Sequence, residues 1–373
     1  MGGKYFIVGT FFGIQLRIDY SWFIIFALIA WDVITVYLPS EKRGLSALYL
    51  VLAGLIVTVI IFLSLIAHEY AHSIVANRRG LRVKRITLFL FGGASELQHE
   101  PDDAKTELLM AAVGPLTSLI IAGAFALIWL GSKHLGITSL QIVSQPVAAI
   151  NFILAVFNLL PAYPLDGGRI FRSIIWLRRD FMSATRIATN AGIILSYTMV
   201  ALGILALLGG NIVGGLWFAI IGFFLGQSAR YSYFETLHES ILSKVTVDKV
   251  LSRDFAAVPA GSTVNDFLNN FVLRYKHYDF LVTDKDDIKG IIEFSRLAKF
   301  SRSRPQTVID DYVEPLTKSL VLKPTDSAAK ARRIMRSHNL DILPVMSGQK
   351  LAGVVMSRYL EDYVMVHRLQ ASI

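Results

Sequence analysis

The sequence predicts a polytopic α-helical membrane protein, with about six transmembrane helices and a short membrane-associated β-hairpin, followed by a C-terminal α/β module. Three observations predict this. The 373 residues are 54% hydrophobic and only 17% charged, with a mean hydropathy of +0.52, too apolar for an ordinary soluble domain. The apolar residues gather in runs of roughly 17–25, enough to cross a hydrocarbon core about 30 Å thick. After about Arg230 the composition becomes ordinary, and a weak internal repeat alternates strand-like with helix-like segments. Cysteine is absent, which excludes disulfides, thiolate metal sites and a cysteine nucleophile. The net charge of +9 is read as basic residues flanking membrane spans, with no nucleic-acid partner. The first residues show no short apolar region with a small-residue cleavage site, so they are read as mature sequence.

In chain order the expected spans are Tyr20–Leu38, Ala47–Ala76, Glu107–Leu130, Pro146–Leu160, Ile187–Leu208 and Ile212–Gly226. The fourth ends in a segment broken by proline and glycine, which lipid tolerates only against protein or a water-filled cavity. Arginine and lysine concentrate in Asn77–Arg85 and Arg169–Arg186, whereas Pro39–Ser46, Gly131–Gln145 and Gly209–Asn211 are poor in charge. This alternation predicts cytoplasmic termini and a cytoplasmic C-terminal module. Between spans two and three, Ile86–Asp103 is β-prone with a turn at Gly92–Gly93; it reads either as a plain interfacial hairpin or as a strand edge that could pair with an extended substrate. In the tail, Val258–Ile292 and Leu322–Val355 each read strand, helix, strand, turn, strand. The domain division is therefore 1–230, with repeats at 241–304 and 305–373.

The chemistry starts at His68-Glu69-Tyr70-Ala71-His72, near the end of the second span. Residues four apart share a helix face, so two imidazoles can grip one Zn2+ while the neighbouring glutamate reaches a water on it. Ionisable groups inside lipid are expensive and functional by default. The bland alternative is a pair of core histidines bonded to other helices. Catalytic zinc commonly takes a third protein ligand, and Asn158–Arg169 (NLLPAYPLDGGR) lies on the same predicted side of the membrane. Asp166 is its only carboxylate, with the alternative role of capping the following helix. His99, Glu100, His134, His238, His277, Asp19 and Asp32 are assigned no chemistry.

These residues resemble the site-2 protease family of intramembrane metalloproteases: His68-Glu69-x-x-His72 in a span, then Asn158-x-x-Pro161-x-x-Pro164-Leu165-Asp166-Gly167-Gly168. Phe91–Glu96 (FGGASE) and Ala111–Leu119 (AAVGPLTSL) fit the prokaryotic subgroup, with Ser118 where relatives often have asparagine. The resemblance implies that His68, His72 and Asp166 hold zinc, that Glu69 is the general base and acid, and that Asn158 binds the substrate backbone or the oxyanion. It implies cleavage of membrane-anchored proteins within or near their transmembrane segments, in regulated intramembrane proteolysis. The tail, about Ile241–Tyr363, resembles a tandem pair of CBS repeats, which implies regulation, an adenine nucleotide as ligand and a homodimer through the module. That family often has an aspartate after the third-strand glycine; Arg296 and Tyr359 stand there instead. The competing reading is a CBS-gated ion transporter or channel, with Asp166 and the histidines as an ion path.

Overall fold

The computed structural model describes residues 5–38, 46–90, 92–97, 101–275, 279–285, 287–294, 297, 307–348 and 350–371. His99, Glu100, His277 and Arg296 lie outside these. The chain divides into two compact units, Met1–Tyr233 and Phe234–Ile373.

The first unit opens with an antiparallel hairpin, β1 (Tyr5–Phe11) and β2 (Ile14–Asp19). Its turn places Phe12 and Gly13 at positive φ, which favours a glycine in one of the two places. The helix α1 (Trp22–Tyr37) follows, then α2 (Ala47–Arg78), β3 (Val83–Phe89), β4 (Gly92–Leu97), α3 (Ala104–His134), α4 (Thr138–Asn158), α5 (Asp166–Trp176), α6 (Phe181–Leu208) and α7 (Ile212–Leu242). β2 pairs in parallel with β3, and β3 pairs antiparallel with β4, giving a four-stranded sheet in the order β1-β2-β3-β4. The N-terminal hairpin is absent from the sequence expectations above.

Among the described residues, five helices are long and apolar enough to cross a membrane, rather than six. The expected first span is the exception. It forms an 11-residue α-helix and five further residues of π-helix, a length of about 24 Å at 1.5 Å per residue. It packs antiparallel along part of α2: Trp22 meets the Phe62 ring at 4.7 Å, and further along Ile34 lies against Gly54, where a Cβ would come within 2.3 Å of its Cγ1. The other helices extend beyond the expected spans; α4 begins at Thr138 and α7 runs to Leu242.

One face of the sheet packs against α2. Ile14, Leu16, Ile86 and Leu88 are buried with Tyr70 and Met110, and the Tyr70 hydroxyl donates to the Ile14 carbonyl at 3.2 Å. The Ser73 and Ser95 hydroxyls meet at 3.0 Å and tie β4 to α2 just beyond His72. These contacts lay β4 along the half of α2 that carries the ionisable residues.

In the second unit, β5 (Ala257–Pro259), a helical segment at 264–275, and the strands β6 (Asp279–Asp284), β7 (Asp287–Glu293) and β8 (Glu314–Pro315) form a sheet in the order β5-β6-β7-β8. Then come α8 (Ala328–His338), the hairpin β9 (Ile342–Ser347) and β10 (Lys350–Met356), and α9 (Ser357–Ala371). The end of α7 belongs to this unit: Glu235 pairs with Arg332 at 2.9 Å and with Arg336, and Glu239 with Arg333 at 2.8 Å.

Asp279 is buried opposite Glu293 in the β6–β7 ladder and accepts a hydrogen bond from the Asp341 N–H at 2.6 Å. Burial pushes its carboxyl up to about 7; the charges of Asp341 and Glu293 add to this, and the hydrogen bond opposes it. An unfolded aspartate titrates near about 3.9, so the folded unit holds the proton more tightly than the unfolded chain. The stability this group contributes is full below about pH 4 and is lost as pH rises through about 7. Thermal unfolding of this unit within the full chain is expected to occur several degrees lower at pH 8 than at pH 5. Asp279→Asn should remove most of that difference; an unchanged pH dependence in the variant would show that other groups cause it.

Candidate metal centre

α2 is an apolar helix that delivers His68, Glu69 and His72 near its C-terminal end. His68 is buried and His72 partly so. One helical turn separates them, and their rings meet edge-to-face at 4.8 Å. Asp166 arrives from the other side as the first residue of α5, and the helix cap is Leu165, with no side-chain capping bond. Its carboxylate is thus free of the capping role that the sequence left open.

Three donor atoms converge. Asp166 Oδ2 lies 3.1 Å from His68 Nε2 and 3.2 Å from His72 Nε2, and the two Nε2 atoms are 3.2 Å apart. These residues form the described His/Cys/Asp/Glu group whose ligand atoms are close enough to hold a metal ion. The far ring nitrogens are already engaged: His72 Nδ1 donates to the Met110 carbonyl at 2.6 Å, and His68 Nδ1 meets Ser118 Oγ at 2.9 Å. A carbonyl only accepts, so His72 carries its proton on Nδ1 and turns a lone pair on Nε2 toward the cluster. With both Nε2 atoms unprotonated, as metal ligation requires, the three atoms are all acceptors, and a cation between them stabilises that separation. Tetrahedral coordination with bonds of about 2.0–2.1 Å spaces ligand atoms about 3.3–3.4 Å apart, close to what is observed. The donor set therefore fits a small divalent cation such as Zn2+, and Ser118 and Met110 are the outer partners that fix the imidazole orientation.

Glycines make the room. A Cβ on Gly114 of α3 would stand 2.1 Å from His72 Nε2 and 2.7 Å from His68 Nε2. Gly167 and Gly168 let α5 start against the preceding loop, where added Cβ atoms would meet the Leu159 carbonyl oxygen and Tyr163 N at 2.2 Å each. Gly192 of α6 admits the same loop, whose Tyr163 N–H donates to the Ala188 carbonyl at 3.2 Å. Glu69 faces β4: a Cβ on Gly93 would come within 2.5 Å of its Cδ. The backbone of an edge strand thus passes directly over the glutamate.

His68, His72 and Asp166 come together, with Glu69 one residue along from His68. Asn158 ends α4, half-buried, with no side-chain hydrogen bond among the described residues. The sequence reading missed the roles of Gly114 and of the β1–β2 hairpin. The alternation of Ile14, Leu16 and Ile18 with Gln15, Arg17 and Asp19 was a signal for the latter.

Gly114→Ala should displace both imidazoles. Zinc content measured on purified protein is expected to fall well below that of the wild type at similar yield and monodispersity. Full retention would mean the histidines have space that the backbone geometry denies them.

The chain resembles known proteins over most of its length. The sequence signature of Peptidase family M50 matches residues 56–140 and 137–205, and that of the CBS domain matches residues 309–365. Rip3 of Mycobacterium tuberculosis, provisionally named a zinc metalloprotease, is 30% identical over 371 residues, covering 97% of this chain and 93% of its own length. A zinc metalloprotease of Methanocaldococcus jannaschii is 28% identical over 312 residues, 84% of this chain and 86% of its own. The solved structure of a site-2 protease from the same organism covers 61% of this chain and 94% of its own, at 23% identity and a TM-score of 0.42. By full-length similarity and by its motifs, the chain belongs to Peptidase family M50, the site-2 proteases, and carries a C-terminal CBS domain.

Proposed function

We propose that the protein is a zinc-dependent intramembrane endopeptidase whose metal is held by His68, His72 and Asp166, with Glu69 as the proton carrier. The observation that carries this is the meeting of two imidazole nitrogens and a carboxylate oxygen at 3.1–3.2 Å, beside a glutamate and inside an apolar helix bundle. Zinc in such a site supplies a Lewis acid and a water of lowered pKa. Glu69 takes a proton from the attacking water and returns it to the departing amine nitrogen. Asn158, at the mouth of the loop that leads to Asp166, is assigned to the substrate backbone or the developing oxyanion.

The substrate is a membrane-anchored protein, cut within or near its transmembrane segment, and the bilayer is the medium in which it reaches the site. Peptide bonds in an intact helix are internally bonded, so the substrate must unwind before hydrolysis. β4 supports this step. Among the described residues it is the terminal strand of its sheet, and it runs over Glu69, so an extended peptide could add to its edge next to the reacting groups. The basic stretches near residues 78–85 and 169–186 support cytoplasmic placement of the site and of the C-terminal module.

The CBS repeats at 241–304 and 305–373 form a regulatory module, with a second copy of the module as its partner. Each repeat carries a parallel strand contact, a helix and an antiparallel hairpin: β5 beside β6 in the first, Leu322 beside Val345 in the second. An adenine nucleotide is the ligand class implied by the family resemblance, although Tyr359 in the aspartate position leaves the second repeat without that acceptor for a ribose. The transporter reading has no support in the family membership.

Glu69→Gln is expected to keep about one zinc per chain and lose cleavage by at least about a thousandfold, whereas His68→Ala and Asp166→Ala lose the metal. Elemental analysis together with accumulation of uncut anchored proteins in membranes reads both effects. Zinc retained in both alanine variants removes the assignment.

A further inference from the structure

We infer that the buried Arg172–Glu107 ion pair is a positioning device that sets the rotation of α5, and with it the reach of Asp166 toward the two histidines; this builds on the zinc site proposed above. Arg172 is 2% exposed and Glu107 fully buried. Arg172 Nε donates to Glu107 Oε1 at 2.8 Å, and Nη2 donates to the same oxygen. Glu107 sits in the first turn of α3, the helix that also provides Met110 and Ser118 to the imidazoles and Gly114 beneath them. Arg172 sits on α5, the helix that Asp166 begins. A single ion pair therefore links the helix that orients the imidazoles to the helix that presents the carboxylate.

The guanidinium also lies over the Tyr163 ring at 4.7 Å and the Phe181 ring at 4.9 Å, and Nη1 reaches the Tyr163 hydroxyl at 3.5 Å. Tyr163 belongs to the loop that enters Asp166, and Phe181 starts α6. Arg172 is thus held from several sides and cannot turn without moving the loop.

Stability does not explain this pair. Two buried charges lose hydration that their attraction restores only with full hydrogen bonding, and apolar replacements of similar volume are often as stable. Here Glu107 Oε2 is buried with no hydrogen-bond partner among the described residues, an added cost. What the pair offers is register. α5 has only 11 residues, and its glycines at 167 and 168 fix how closely it approaches the loop rather than its rotation. A rotation of about 20° would carry a carboxylate about 5 Å from the helix axis through nearly 2 Å, enough to take it out of reach of the histidines.

The test is zinc affinity, measured by competition with chelators on the purified full-length protein, with thermal unfolding in parallel. The variants are the doubly neutral Glu107→Gln/Arg172→Met, which strands no buried charge, and Arg172→Lys, which keeps the charge but loses the fork. Both are expected to bind zinc at least tenfold more weakly than wild type. The doubly neutral protein should melt within a few degrees of wild type. Wild-type zinc affinity in these variants overturns the inference, including when it comes with a lowered melting temperature, because a purely structural role would act that way. Should the double variant not be recovered folded, Arg172→Lys decides on the same readout. Asp166→Ala serves as reference: if it too keeps zinc, the metal-site proposal fails rather than the positioning role.

Discussion

Two imidazole nitrogens and a carboxylate oxygen, all lone-pair bearers, are held within 3.2 Å of one another in an apolar bundle. A cation or a shared proton among them satisfies this arrangement, and much of the membrane unit is shaped to maintain it. Met110 and Ser118 engage the far sides of the rings, so both Nε2 atoms face inward. Gly114 removes the one atom that would fill their space, and Gly167, Gly168 and Gly192 bring the Asp166 loop close on the opposite side. The ligands come from two helices far apart in sequence, so neither α2 nor α5 makes a site alone. The contacts of α3 with both join them.

The sheet answers a second constraint. Peptide hydrolysis requires an extended, unpaired substrate backbone, yet a membrane helix hides its backbone in internal hydrogen bonds. On the proposed reading, an edge strand lying over Glu69 would offer replacement hydrogen-bond partners where that backbone must be exposed. The N-terminal hairpin has a part in this. β2 pairs with β3, and through Ile14, Leu16 and the Tyr70 hydroxyl bond it packs the sheet onto the turn of α2 between the two histidines. The Ser73–Ser95 contact then fixes β4 itself. Most of β1 is exposed, as is Phe12 in the turn that follows it, at 81%.

The parts of the fold legible in the sequence were those encoded by local spacing or by composition. His68 and His72 lie four apart on a helix, and the apolar runs of α2, α3, α6 and α7 are long enough to announce themselves. The turn glycines around Asp166 stand beside it in the chain. The first span misled because an apolar run measures hydrophobicity rather than helix length; the helix it forms is too short to reach 18 residues. The β1–β2 hairpin escaped because its alternation is short and lies directly before a span. Glu107 and Arg172 were read as a span boundary and a loop charge. Their pairing depends on how α3 crosses α5, which no periodicity in either segment records.

Arg172 and Glu107 also show how an intramembrane site can use charge without using it in the reaction. Lipid penalises each charge separately, so a pair persists only where both members stay together. That makes the pair intolerant of small rotations, because any turn of α5 that separates the two leaves a bare charge in the bundle. An apolar contact in the same place would weaken gradually as α5 turned, and would allow Asp166 a range of positions. The cost of burying the pair and its value as a register mark therefore come from one property: the steepness with which a low-dielectric interior penalises separation. The stacking of Arg172 on Tyr163 extends that stiffness to the loop entering Asp166. The carboxylate is then held through its helix and its loop together, while its own oxygens remain free to face the histidines.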